Sequence, residues 1–198
     1  MFLFFLRINF MVVYDTIKGE AHIKLKETED KKIHWFAAKT RPRQEKFIKE
    51  RLNTLGIVNF IPLRTEVRQW KTRKKKVLIP VIPHLVFVQS DYDTCFEIPN
   101  QYHIKIWYIK DYITKRNLIV PDKQMEDFMF LLNSKEGNVK IINTELEKGD
   151  RVVVKEGSFK GIEGELIRVE NKSKVVVHLE GIIAISVEIE SAFLEKIE

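Results

Sequence analysis

Apolar positions change period along this chain, and each change marks an element. Ile33, Trp35 and Ala37 alternate with His34, Phe36 and Ala38, and both sets are largely apolar, so the segment predicts a strand covered on both faces. A helix follows. Pro42 suits a first helical position, where its missing N–H would go unpaired anyway, and Arg41 before it is pushed to the extended conformation of an N-cap. Phe47, Ile48, Leu52 and Leu55 then make one apolar stripe, ended by Gly56 as a C-terminal glycine.

Residues 58–63 read as a second strand. Residues 67–70 and 77–81 read as the arms of a hairpin whose tip is Lys71, Thr72, Arg73, Lys74, Lys75 and Lys76, a run that no core can hold. Residues 85–88 and 105–109 are short strand-like runs, and 92–98 predicts a short helix ended by Pro99. Met125, Phe128, Met129 and Leu132 recur at helical spacing after Pro121 and Asp122, which gives a face able to cover one side of a sheet. The order strand, helix, several strands, helix predicts an α+β domain over 31–134: an antiparallel sheet with helices packed on it.

Residues 135–146 hold Gly137, Asn138 and Asn143 with little amphipathic pattern and read as a linker. From 147 to 198 every apolar cluster is short and β-branched, with turn residues between, which predicts five short strands in a small all-β barrel. Ahead of residue 31, apolar runs stand at 2–6 and 8–14. Arg7 interrupts them, and Tyr14, Asp15 and Thr16 follow where a secretory signal would place small residues. Neither run approaches the ~20 residues that span a bilayer. Residues 1–30 are therefore expected to be a poorly ordered extension, with translation beginning at Met11 or later and no membrane association.

Charge sharpens this division. Of the 198 residues, 31–144 carry 22 Lys/Arg against 11 Asp/Glu, whereas 145–198 carry 8 against 12. A field of one sign confined to one block concentrates polyanions there, and the tail block repels them. Arg41, Arg43 and Lys46 at the first helix start, with Arg68, Lys71, Arg73, Lys74, Lys75 and Lys76 on the hairpin, offer one surface for phosphates, and Trp70 offers a ring for an unpaired base. The plainer reading of the same run is a solvated charged face.

Chemistry beyond binding finds little support. Cys95 is the sole cysteine, so no internal disulfide forms, which fits a reducing cytoplasm. His34, His84, His103 and His178 lack metal-ligand spacing, so no metal or cofactor is expected. Asp91 and Asp93 are alternate carboxylates of a kind that holds Mg²⁺ in nucleases, but they stand where a turn is predicted. Nothing proposes a reaction, and the chain reads as non-enzymatic. Gly157, Gly161 and Gly164 around Phe159 lie between two predicted strands with no helix behind them, which argues against a phosphate loop and for a tight turn pinned by Phe159.

The segment Gly149, Asp150, Arg151, Val152, Val153, Val154, followed by Gly157 through Gly164, resembles the KOW motif that opens the C-terminal barrel of NusG-like transcription elongation factors. Upstream, His34, Trp35, Phe36 and Ala37 with the helix after Pro42 resemble the opening of the NusG N-terminal (NGN) domain, and 82–88 resembles that domain's proline-glycine-tyrosine strand. The resemblance spans 33–197. The lead at 119–121 into the late helix is similar to the specialised UpxY-like antiterminators of capsule operons. Two positions depart from the pattern: His84 and Leu85 replace the glycine and tyrosine that follow the proline.

What the resemblance implies is a monomeric factor whose NGN-like domain grips the clamp helices of RNA polymerase through Phe36, Ile82, Pro83 and Leu85. The same domain would touch nucleic acid near the transcription bubble. Its KOW barrel would recruit a partner such as a ribosomal protein or a termination factor. For Phe36, Ile82 and Leu85 the other reading is plain core. An alternative function is a ribosome- or RNA-binding KOW protein with no polymerase contact.

Overall fold

A computed structural model describes residues 31–70, 73–134, 139–142, 149–169, 172–179 and 182–197. The extension 1–30, Lys71 and most of the expected linker lie outside the described residues.

β1 (His34–Thr40) organises the N-terminal sheet because it is apolar on both faces. It pairs antiparallel with β5 (Leu85–Ser90) along one edge, and β2 (Val58–Phe60) lies beyond β5. Along its other edge β1 takes β7 (Ile119–Val120) and then β6 (Ile106–Tyr108).

Register assigns the two cores. Trp35, Ala37, Leu85, Phe87, Phe60 and Val120 share one face, covered by α3 (Asp122–Asn133), whose Phe128 ring stands 5.6 Å from Phe87 and 6.4 Å from Phe60. Ala38, Val86 and Val88 share the other face with Ile48 and Leu52 of α1 (Glu45–Thr54) and Ile98 of α2 (Tyr92–Asn100).

Helix α1 begins later than the proline suggested. Pro42 falls in a turn closed by Gln44 N–H donating to Arg41 O at 3.3 Å, with Arg43 at φ 66°, and a left-handed residue cannot lie inside a right-handed helix. The buried stripe is also narrower than expected: Ile48 and Leu52 are covered, whereas Phe47 and Leu55, a position to either side, are exposed. Gly56 ends the helix at φ 70°.

β3 (Leu63–Trp70) and β4 (Arg73–Pro80) form a two-stranded ribbon that, among the described residues, pairs with no other strand. Pairing runs from Leu63 with Pro80 out to Trp70 with Arg73, so Arg73 to Lys76 are strand residues rather than a loop tip. Farther along the chain, α2 extends past the expected stop, with Pro99 inside its last turn.

Among the described residues the C-terminal sheet has six strands, five of them within 147–198 and one from upstream. β8 (Lys140–Ile142), β9 (Asp150–Val154), β10 (Glu163–Val169), β11 (Lys172–Leu179), β12 (Ile183–Glu188) and β13 (Leu194–Lys196) pair antiparallel in the order β13-β9-β10-β11-β12-β8. The added strand, β8, comes from the segment read as linker: three residues are too few to show a period, yet they cover the exposed edge of β12. Among the described residues no helix is long and apolar enough to cross a membrane.

Two glycines of this sheet differ in what they permit. A Cβ on Gly164 would stand 2.5 Å from Val176 O, whereas a Cβ on Gly161 meets nothing within 4 Å but would sit on a backbone at φ 89°. Gly164→Ala must push two strands apart and is expected to lower the unfolding free energy by about 3 kcal/mol, and Gly161→Ala by about 1 kcal/mol, as measured by denaturant titration.

Candidate functional site

Residues 81–85 connect the ribbon to β5, and their backbone explains one of the two departures from the NusG-like pattern. His84 has φ 64°, the left-handed region where glycine is ordinarily found. Its N–H donates to Glu45 Oε1 at 3.0 Å, and its Nδ1 lies 3.6 Å from the same oxygen. Glu45, buried at the start of α1, thus ties the helix to this segment.

The expected polymerase-binding residues are not gathered on one surface. Phe36 points away from Leu85, because β1 alternates, and it packs edge-on against Tyr92 at 5.1 Å. Trp35, read as a strand residue and not among the expected contacts, shares Leu85's face. Ile82 and Leu85 are only 6% and 7% exposed and belong to a buried cluster with α3 that continues into the C-terminal sheet, while Pro83 is exposed. As arranged, then, Ile82 and Leu85 are core, not open anchors.

Helix α3 carries two contact flanks. Met125 and Phe128 face the N-terminal sheet, while Gln124, Asp127 and Leu131 recur at i, i+3 and i+7 on a second flank. That flank lies against the C-terminal sheet, where α3 approaches β11. Asp127 is buried: its Oδ1 accepts from Lys123 Nζ at 2.8 Å and its Oδ2 from Glu163 N–H at 3.4 Å. Lys123 Nζ also donates to Gly161 O at 2.9 Å. The Phe130 ring, 49% exposed, meets Phe159 edge-on at 6.3 Å. A cleft of about 400 Å³ opens beside this contact, lined by Lys123, Gln124, Arg151, Glu165 and His178. Its polar walls hold His178 Nε2 3.4 Å from Glu165 Oε2.

The turn 157–164 is built by its glycines. Gly157 and Gly161 take φ 82° and 89°, Gly161 N–H donates to Val154 O at 2.7 Å, and Phe159 is buried.

The cations do not form one patch. Register puts Arg64, Arg68, Arg73 and Lys75 on one face of the ribbon and Lys74 and Lys76 on the other. Glu66 engages both Arg64, at 3.9 Å, and Arg68, at 3.0 Å, which lowers the net charge near the base. Arg41, Arg43 and Lys46 lie by the α1 start, close to where the ribbon rejoins the domain. Lys74 is six residues ahead of Pro80, about 20 Å along a strand. Arg41 extends over the Trp107 ring, 5.9 Å from its centroid. The Trp70 ring and Lys71 lie outside what the structure describes.

Asp91 caps α2, accepting from Thr94 N–H at 2.7 Å. Burial pushes the Cys95 thiol above its ordinary pKa, which keeps it protonated and unreactive. Among the described residues no group of His, Cys, Asp and Glu is placed to hold a metal ion.

With this geometry in place, comparison with known proteins shows a likeness over one part of the chain. Residues 33–129 match the family described as "NusG: Transcription termination factor nusG". That segment is similar to a NusG-family domain. It spans β1 through most of α3, and members of that family are transcription factors. Similar solved structures include "Domain interaction in Thermotoga maritima NusG", 20% identical over 85% of this chain and 99% of that one, with a TM-score of 0.46. Another is "Crystal Structure of MjSpt4:Spt5 complex conformation B", 22% identical over 83% and 97%, with a TM-score of 0.23. No curated protein matches.

Two substitutions test these contacts, one in each sheet's connecting turn. His84→Gly removes a left-handed side chain but keeps the N–H bond to Glu45, and is expected to hold or raise the unfolding free energy by up to about 1 kcal/mol in a denaturant titration. Phe159→Ala empties the turn's buried position and removes the partner of Phe130, and is expected to lower it by about 3 kcal/mol.

Proposed function

We propose that this chain is a transcription elongation or antitermination factor. Its NusG-like domain binds the clamp helices of RNA polymerase and favours processive transcription, on particular operons such as those for capsular polysaccharide. The observation that carries this reading is the family match over 33–129.

Mechanistically the domain needs an apolar surface that a helical hairpin can cover. With Ile82 and Leu85 in the core, that surface is the outer flank of α3 around Phe130. The 147–198 unit, read as a KOW barrel that recruits a ribosomal protein or termination factor, rests on the same flank through Phe159. Barrel and polymerase then compete for α3. A ligand that prefers the undocked state shifts the population toward it by its differential affinity. The ribbon and the cations of the α1 start supply phosphate contacts near the transcription bubble, set at a distance from the apolar flank.

Retention on immobilised core RNA polymerase tests the proposal. Phe130→Asp is expected to abolish retention with the fold intact by circular dichroism. Phe159→Ala is expected to increase it severalfold by loosening the competing contact, and the triple variant K74A/K75A/K76A to leave it unchanged at moderate salt. A wild-type chain that polymerase does not retain, but that binds ribosomes, would establish the alternative of a ribosome- or RNA-binding protein.

A further inference from the structure

A second surface stands at the opposite edge of the N-terminal sheet from the ribbon. β6 and β7 both pair with β1, and the chain between them projects as a closely hydrogen-bonded turn. Lys110 bridges to Asn117, with its Nζ donating to Asn117 Oδ1 at 2.6 Å. Asp111 N–H donates to Arg116 O at 2.9 Å, and Lys115 N–H donates to Asp111 O at 3.0 Å. Asp111 Oδ1 accepts from Thr114 N–H at 2.6 Å and Ile113 N–H at 3.1 Å. These bonds, the Thr114 N–H foremost, hold the Asp111 carboxyl below its ordinary pKa, so the turn stays closed at neutral pH.

Small polar residues usually occupy such a tip. Here it displays Tyr112 and Ile113, each 86% exposed, and on α2 nearby the Phe96 ring is 67% exposed. Tyr112 and Phe96 are the most exposed aromatic rings among the described residues. Rings left in water add nothing to folding stability, yet this backbone fixes one of them there.

Cations accompany the rings. Lys115 Nζ lies 4.2 Å from the centroid of Tyr112, and the Arg116 guanidinium 4.4 Å from that of Tyr92. Between α2 and the turn lies a cleft of about 390 Å³, lined by Tyr92, Phe96, Tyr108, Lys110, Arg116 and Asn117. The Tyr108 ring forms part of its wall, with its hydroxyl buried against the Cys95 thiol. Exposed rings alternating with cations mirror the base and phosphate repeat of an unpaired strand.

We propose that α2 and the 110–117 turn form a binding surface for single-stranded nucleic acid. Phe96 and Tyr112 stack on bases, and Lys110, Lys115 and Arg116 meet the phosphates. The cleft admits a base whose edge pairs with the Asn117 amide. A duplex fits poorly, because its bases are already stacked and offer the rings no free face. The surface is separate from the ribbon, and its use does not depend on the polymerase contact proposed above.

Fluorescence anisotropy without polymerase tests it. The full chain carrying K74A/K75A/K76A, which removes three of the ribbon's cations, is titrated against fluorescein-labelled 12-mers of deoxythymidine and of uridine and against a 12-base-pair duplex. F96A and Y112A are each expected to weaken single-strand binding about tenfold, Y112F to leave it unchanged, and neither ring variant to alter duplex binding. A preference between the two 12-mers assigns the strand as DNA or RNA, and either preference supports the surface so long as it depends on the rings. Absence of single-strand binding, or affinity unchanged by both ring variants while circular dichroism shows them folded, would overturn it.

Discussion

One helix serves two sheets, and the rest of the architecture follows from that constraint. Helix α3 covers the face of the N-terminal sheet that Phe87 and Ala37 share, and turns its next flank to the C-terminal sheet. A helix with a single apolar stripe would leave the second contact wet. This one replaces part of the stripe with Asp127, whose two oxygens take Lys123 and the Glu163 N–H, so the polar group is covered without being left unsatisfied. Because Lys123 also reaches Gly161 O, the glycine turn that opens β10 is held by the same helix. The two sheets therefore share one continuous apolar cluster.

Electrostatics follows a different division. The ribbon lies outside both cores, and a two-stranded ribbon has little to bury, so its Lys and Arg remain solvated on both faces. Isolation of this kind lets charge accumulate without destabilising a core. It also separates the ribbon's cations from the apolar flank of α3. The turn between β6 and β7 applies the same principle at smaller scale, since its hydrogen bonds satisfy the backbone and leave its side chains to solvent.

Much of the fold was legible because burial leaves a period in sequence. β1, α1 and α3 each show one, β5 shows an unbroken apolar run, and all four exist close to where these patterns place them. The misses have specific causes. Arg43 adopts a left-handed conformation that no propensity signals, which delays α1 past Pro42. β8 is three residues long and exists because β12 offers an edge. Grouping Phe36 with Leu85 assumed a common face, whereas alternation along β1 separates them once register is fixed. Asp127 and Leu131 went unread as contacts because a carboxylate interrupts their stripe.

The sequence by itself determined the strand and helix order, the concentration of positive charge between 31 and 144, and the NusG-like character of the opening strand and helix. Those properties are local or additive, so they survive without a partner. Only tertiary structure decided that Ile82 and Leu85 are sealed, that α3 has a second flank, and that the ribbon's cations face two ways. Exposure is a relation between segments distant in the chain, and an apolar residue reads the same whether a neighbouring sheet covers it or leaves it open.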